Sequence, residues 1–344
     1  MDNAKVKFKF VTPCISSGAD KRSAELRVPS IRGQLIWWTR ALGYDENTVS
    51  GIFGSANGER TVSSSIIVRN TTKHELKTAV RSAQEIIGTQ YDYFLWPIRR
   101  QQDARGIILE NQEAEITISF RYNRDALEFP DHVLKAFLLL GSIGTRSRRC
   151  YGSIYPVSVL IDSRHWIYPQ NMNDFRTELS TLLDQYSNCR ILQLSDAQNT
   201  WQDAVRKCSN FLKKFRCGKD DQRFDQRAST WGRNDHDAGF DQTDRIYRPD
   251  IGLPLQTRYY TVEAPNMDRL ASPVHFKIIQ LENDFYPIVI FFRNHSLSNF
   301  TENVTIRTNR GQTRRLSVEG DMLDAMMRPD ENYWRGASLI GDFQ

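Results

Sequence analysis

Cysteine is sparse in this chain and follows no pattern. Cys14, Cys150, Cys189, Cys208 and Cys217 are the only five in 344 residues, an odd number with no C-x-x-C pair. That argues against a disulfide framework and a cysteine-rich zinc site, and it points to a reducing cytoplasm. Long apolar runs are also missing. None approaches the roughly 20 residues needed to span a bilayer. Met1 to Lys9 alternates charged and apolar residues and does not form the apolar core of a signal peptide. Neither sign of charge dominates: 46 Lys and Arg against 41 Asp and Glu leave a formal charge of +5. This permits a polyanionic partner without demanding one, so the distribution of charge matters more than its sum. Histidine is scarce too. His74, His132, His165, His236, His275 and His295 all lie away from the first predicted strand and helix.

What is present reads as a folded chain. Charged residues make up 25% and hydrophobic residues 40%, an ordinary globular composition, and the length allows two domains. Lys5 to Val11 alternates strictly, which predicts a half-buried strand ended by Pro13. Pro29-Ser30 predicts a helix with Ser30 as N-cap and Gly43 as stop, its apolar stripe formed by Ile31, Leu35, Trp38 and Leu42. Further strands are expected at Val62 to Arg69, Glu115 to Arg121 and Ile154 to Ile161, and a second helix from Pro130-Asp131 to Leu140. A partly helical insertion is expected over Lys73 to Gly106. The order β-α-β-β-α-β is the split-βαβ, ferredoxin-like (RRM-like) pattern of an α+β fold.

A domain boundary is expected near residues 162–170, giving domains 1–165 and 166–344. The second half is less regular and is expected to be a worn copy of the first. Helices are predicted at Asn173 to Tyr186, Gln198 to Phe215 and Ser317 to Met327, and strands at Val274 to Leu281 and Phe285 to Phe292. Residues 206–233 hold nine basic and three acidic side chains. Asn234 to Asp250, with five aspartates against two arginines, reads as a mobile loop.

Two segments carry the functional signal. In Gly141 to Ser153, glycines at 141, 144 and 152 bracket Arg146, Arg148, Arg149 and Tyr151, between a helix and a strand. Glycines permit positive φ and close approach, successive N–H groups can cradle an anion, and arginine forks grip phosphate. In Leu26 to Arg40, Arg27, Arg32, Gly33, Trp37, Trp38 and Arg40 interleave basic and aromatic residues at a helix start. Phosphate favours helix N-termini, and Arg and Trp stack on unpaired bases. Helical phase puts Trp38 on the buried stripe and Trp37 at its edge. These ten residues, three in the loop's arginines, Tyr151, and six in the helix, are the expected RNA-binding set.

With Phe10-Val11-Thr12-Pro13, Ile52-Phe53-Gly54-Ser55, Gly252-Leu253-Pro254 and Ala271-Ser272-Pro273, these motifs make the chain resemble the RAMP superfamily of CRISPR-associated proteins. Within it, the Trp37-Trp38 motif is most similar to the first-subunit family of the Cmr (type III-B) RNA-guided effector complex. The resemblance implies tandem ferredoxin-like domains and binding of CRISPR RNA or target single-stranded RNA. It also implies neighbouring RAMP subunits (the backbone subunit and the other terminal one) and a place at the complex end away from the polymerase-like large subunit, in antiviral defence. Ile36 stands where relatives usually carry Arg, Thr39 where they often carry an aromatic, and Ser142 and Cys150 where glycine is typical. Cys150 is expected to disfavour positive φ and reshape the loop.

No catalytic residue, metal or cofactor is expected. RAMP endoribonucleases use a histidine in the first domain or an aspartate after the first strand. Asp20 sits in such a loop, but beside Lys21 and Arg22, where a surface ion pair is the simpler account. Asp235, His236, Asp237 and Asp241 match no metal-ligand spacing. Two alternatives stand beside RNA binding: a RAMP endoribonuclease, and a structural adaptor whose basic helix at 206–219 docks on a neighbouring subunit.

Overall fold

Alternation builds the first strand. In β1 (Asn3–Phe10) Val6, Phe8 and Phe10 are buried, while Lys5 and Lys7 reach Glu115 (3.2 Å) and Glu113 (2.6 Å) on the solvent face. It is followed by α1 (Val28–Ala41), β2 (Ile66–Asn70), β3 (Glu113–Phe120), α2 (Asp131–Leu140), β4 (Ile154–Ile161) and the short β5 (Arg164–Trp166). The computed structural model describes residues 1–57, 60–88, 93–98, 101–121, 127–184, 188–217, 230–240, 242–253, 255, 257, 259–329 and 334–343. The strands pair antiparallel in the order β5-β4-β1-β3-β2. Each βαβ unit thus leaves a gap that the other unit's strand fills, as a split-βαβ fold requires.

The second half repeats the scheme. After α3 (Met172–Leu183) come β6 (Cys189–Gln193), α4 (Trp201–Cys217), α5 (Thr230–Asp237), β7 (Val274–Leu281), β8 (Asp284–Phe292), α6 (Asp321–Met327) and β9 (Ser338–Phe343). The sheet order β7-β8-β6-β9 matches the first domain strand for strand, so the α+β, tandem ferredoxin-like expectation holds. Two insertions come together beside it. Arg245–Ile246, Tyr260–Glu263 and the hairpin Asn303–Thr308/Thr313–Val318 form a separate four-stranded sheet with its own core around Ile246, Tyr260, Ile306 and Leu316. Among the described residues no helix is long and apolar enough to cross a membrane.

Several boundaries differ from expectation. Helix α1 starts at Val28, with Arg27 as N-cap and Pro29 inside the first turn, where proline's missing N–H costs nothing. Ser30 is therefore not the cap, and Arg32 falls in the second turn. Asn234 to Asp250 is not an open loop: it holds the end of α5, two 3-10 turns and a short strand, with Asp235 and Asp250 each 1% exposed. The stretch from Ser317 divides between a strand end and α6, and the strand expected at Val62 to Arg69 breaks at Ser63 to Ser65. Tyr186 lies outside the described residues.

Every residue of β7 is buried. The strand packs on α4 of its own domain and on α2 and β4 of the first. Lys277 lies on this doubly covered strand. Its Nζ donates to the carbonyls of Leu138 (3.2 Å) and Gly141 (2.7 Å) at the end of α2. The free carbonyls of a helix C-terminus attract a cation, yet burial pulls the Lys277 pKa well below 10.5. Between the folded value and 10.5 the unfolded chain binds the extra proton, so stability rises with pH in that window. Denaturant titrations from pH 7 to 10 should show the native protein gaining stability relative to Lys277→Met. Parallel pH profiles would refute this account.

Candidate nucleic-acid interface

The segment Gly141 to Ser153 is stitched on both sides. Toward the chain after β1, Thr145 N donates to Ile15 O (2.7 Å), Gly152 N to Pro13 O (2.9 Å) and Val11 N to Ser153 O (2.8 Å). Toward the second domain, Cys150 N donates to Phe276 O (3.0 Å) and Phe276 N to Arg148 O (3.1 Å), making a bridge to the free edge of β7. Close packing explains the glycines. A Cβ at Gly144 would stand 2.6 Å from the Ile15 carbonyl, and one at Gly152 1.9 Å from that of Ile143. The close approach they allow is to the protein's own backbone.

The expectation for Cys150 is overturned: its φ is 70°, and Arg146 stands at 67°. A non-glycine residue there costs about 1–2 kcal/mol. At Cys150 the conformation is held by its own bond to Phe276 O, by the neighbouring bond from Phe276 N to Arg148 O, and by Thr12 Oγ1 (2.6 Å) and Ser153 Oγ (2.8 Å), which donate to the Cys150 carbonyl.

This anchoring aims the loop's arginines at a cleft. Two adjoining cavities of about 520 and 500 Å³ share a wall of Arg146, Arg149, Arg216 and Arg248. Arg148 and Arg269 complete the second cavity, where six arginines meet, and among the described lining residues of both cavities Asp235, in the first, is the one aspartate. Aromatic faces stand where carboxylates would normally pair. Arg148 lies over Trp37 (5.5 Å), Arg149 over Phe94 (5.9 Å) and Phe276 (5.7 Å), and Arg216 over Tyr93 (5.7 Å). Arg149 also donates to Val274 O (2.7 Å). Burial, then Arg216 and Arg146, pushes its pKa down to about 9. Arg216 Nε is buried and has no hydrogen-bond partner among the described residues. Asp235 accepts from Tyr247 N (2.8 Å) and Arg248 N (3.0 Å), and the Arg248 guanidinium lies 3.2 Å away. Burial raises the Asp235 pKa, opposed by Arg248.

The residues singled out in the first helix do not join this cleft as a group. Trp38 is 1% exposed and Tyr151 0%, so both are core and present no surface to a ligand. Trp37 packs on His275 (4.4 Å), Phe292 (4.9 Å) and His295 (6.0 Å), wedged between the domains. Arg32 donates to the carbonyl of Phe53 and covers its ring (5.7 Å), closing the end of the helix Glu46–Phe53. Arg27 pairs with Glu25 (3.2 Å) and Arg40 with Glu46 (2.6 Å). Gly33 is exposed with open space beside it. Only Arg146, Arg148 and Arg149 line the cleft. Sequence reasoning missed Arg216, Arg248 and Arg269. Arg216 lay in the basic stretch 206–233, of which 218–229 lie outside the described residues. Arg269 stands two residues before Ala271-Ser272-Pro273, outside the motif as read. Arg248 lay in the presumed acidic loop and gave no signal.

Asp20 accepts from Ser23 Oγ (2.6 Å) and Arg22 N (2.9 Å), and the Ser23 bond leads the causes that lower its pKa. It is a turn residue, bonded to its own loop. Asp235 is likewise occupied by backbone amides, His236 lies 3.3 Å from Asp237, and Asp241 lies outside the described residues. Because Asp235 is buried against the partly exposed Arg248 guanidinium and accepts from two backbone amides, Asp235→Ala should lower unfolding stability by about 1–3 kcal/mol. Adding Arg248→Met should recover only part of the loss in the same denaturant titration, because the amides of Tyr247 and Arg248 remain without that acceptor.

Residues 7–155 match the RAMP superfamily. The Cmr subunit Cmr1-2 of Pyrococcus furiosus is 25% identical over 177 residues, covering 45% of this chain and 95% of that protein. The crystal structure of Cmr1 from Pyrococcus furiosus, in its apo form, superposes with a TM-score of 0.59 at 14% identity, covering 99% of both chains. A chain of a type III-B Cmr-β complex bound to cognate target RNA superposes with a TM-score of 0.51 at 10% identity, covering 94% of this chain and 98% of that one. Residues 7–155 thus match the RAMP superfamily model, and nearly the whole chain shares the fold of that Cmr1 structure.

Proposed function

We propose that the protein is a non-catalytic, RNA-binding RAMP subunit of a type III-B CRISPR effector complex, working in the cytoplasm in antiviral defence. It contacts guide or target RNA, and neighbouring RAMP subunits, at the end of the complex away from the polymerase-like large subunit. The observation that carries this is the convergence of six arginines on one cleft with a single aspartate. Such a field selects a polyanion, and arginine forks match phosphate geometry. The Cmr-β complex whose chain shares this fold was solved with target RNA. The open face of the first sheet, which RRM domains use to stack bases, is a poor rival: its lysines lie against Glu113 and Glu115.

Strand scission by general acid–base chemistry needs a positioned pair. Asp20 is bonded to its own turn, and His275 is fully buried with its pKa pulled well below 6.5, first by burial and then by Arg148. End-labelled single-stranded RNA should stay intact with the isolated protein while binding it with steep salt dependence. Arg146→Ala and Arg269→Ala should each weaken binding and reduce the log–log salt slope by about 0.7. Absence of RNA affinity, or unchanged affinity in the double variant with the fold intact, would overturn the assignment.

A further inference from the structure

The two cavities differ in character, and the difference says how RNA would enter. The second is walled mainly by arginine, with the 269–272 segment along one side. The first shares that arginine wall and adds the aromatic side chains of Tyr93, Trp96 and Tyr259, with Leu212 and Leu255 lining the same cavity. Trp96 is 52% exposed, an unusual place for a large aromatic. Tyr259 is braced by His236 and Phe240, each with ring centroids 5.1 Å away. The lining therefore offers groups for a phosphodiester and ring faces for a planar base.

Resting on the RNA-binding reading above, we propose that the first cavity is a subsite for one unstacked nucleotide. The base lies among Trp96, Tyr93 and Tyr259, and its phosphates lie on the Arg146–Arg149–Arg216–Arg248 wall. Three observations converge. The volume, about 520 Å³, falls in the range of pockets that enclose a small ligand, roughly 300–1,000 Å³, and excludes a duplex. Arginines lining this cavity are already seated on rings, Arg216 on Tyr93 and Arg149 on Phe94, so a base entering there extends an existing alternation of cation and π-face. Finally, Arg216 lines this cavity, and among the described residues nothing accepts from its buried Nε, an acceptor role that a phosphate oxygen would fill. Recognition through ring faces is tolerant of base identity, because every base offers a π-face. The subsite selects for a base that is out of its stack and does not select for sequence.

Three tetraribonucleotides of equal charge test this with the full-length protein by fluorescence anisotropy: all adenine, fully abasic, and carrying a single adenine. The expected result is that all three bind with salt dependence. The all-adenine and single-adenine forms should bind about equally, and the abasic form about ten-fold more weakly, in the range expected for one base stacked on an aromatic. Trp96→Ala should remove that difference while leaving abasic affinity unchanged, and Trp96→Phe should restore it. Equal affinity for adenine and abasic tetramers overturns the subsite and leaves backbone binding in place. A stepwise gain with each added base points to open-surface stacking and also overturns it. Failure of all three to bind removes the subsite together with the RNA reading it rests on.

Discussion

The backbone exchange between the glycine-arginine loop and strand β7 is the contact on which the architecture turns. Without it β7 would be an open sheet edge, a liability in any β protein. With it, Arg148, Cys150 and Phe276 share two strand-like bonds and the two ferredoxin-like domains are fixed by main chain as well as by side-chain packing. The left-handed conformations at Gly144, Arg146, Cys150 and Gly152 follow from this double attachment. The loop must meet the segment after β1 on one side and β7 on the other within a few residues.

That geometry also explains the electrostatics of the cleft. A loop held by its backbone can afford side chains that repel one another, because side-chain pairing is not what folds it. Arg149 keeps its place through carbonyl acceptors and two aromatic faces, each face contributing about 0.5–2 kcal/mol. Aromatic faces attract guanidinium groups without cancelling their charge, so the field at the cleft mouth persists. A carboxylate at each position would have cancelled that field. Asp235 is the exception, and it is spent on two amides and Arg248, shaping the wall without facing the arginines of the loop.

Legibility in the sequence followed the physics of each element. Strands with a clean period or a dense apolar run, β1, β4 and β7, were readable because their burial is written in their own residues. β6 and β9 were not. Cys-Arg-Ile-Leu-Gln and Ser-Leu-Ile-Gly-Asp-Phe are short and weakly patterned, and become strands through pairing with each other and with β8. The arginine motif of the loop was visible as a cluster, but its neighbours across the cleft arrive from residues 216, 248 and 269. Tertiary structure alone joins them. The Trp37-Trp38 pair was half readable. Helical phase put Trp38 in the core and Trp37 at its edge, but not that both rings would meet Phe292 of β8, with Trp37 reaching on to His275 of β7.

Cys14, Cys150, Cys189 and Cys208 are all buried free thiols, and they are placed at separate mechanical joints. Cys14 lies beside the glycine-arginine loop, Cys150 lies in it, Cys189 begins the central strand of the second sheet, and Cys208 faces that sheet from α4. Burial pushes the Cys14 thiol far above its ordinary pKa, so in the folded state it is protonated as well as covered. The rate at which a thiol reagent modifies each position is then a clock for the opening of that joint. The seam between the domains and the interior of the second domain can be timed separately in one native chain without any added label.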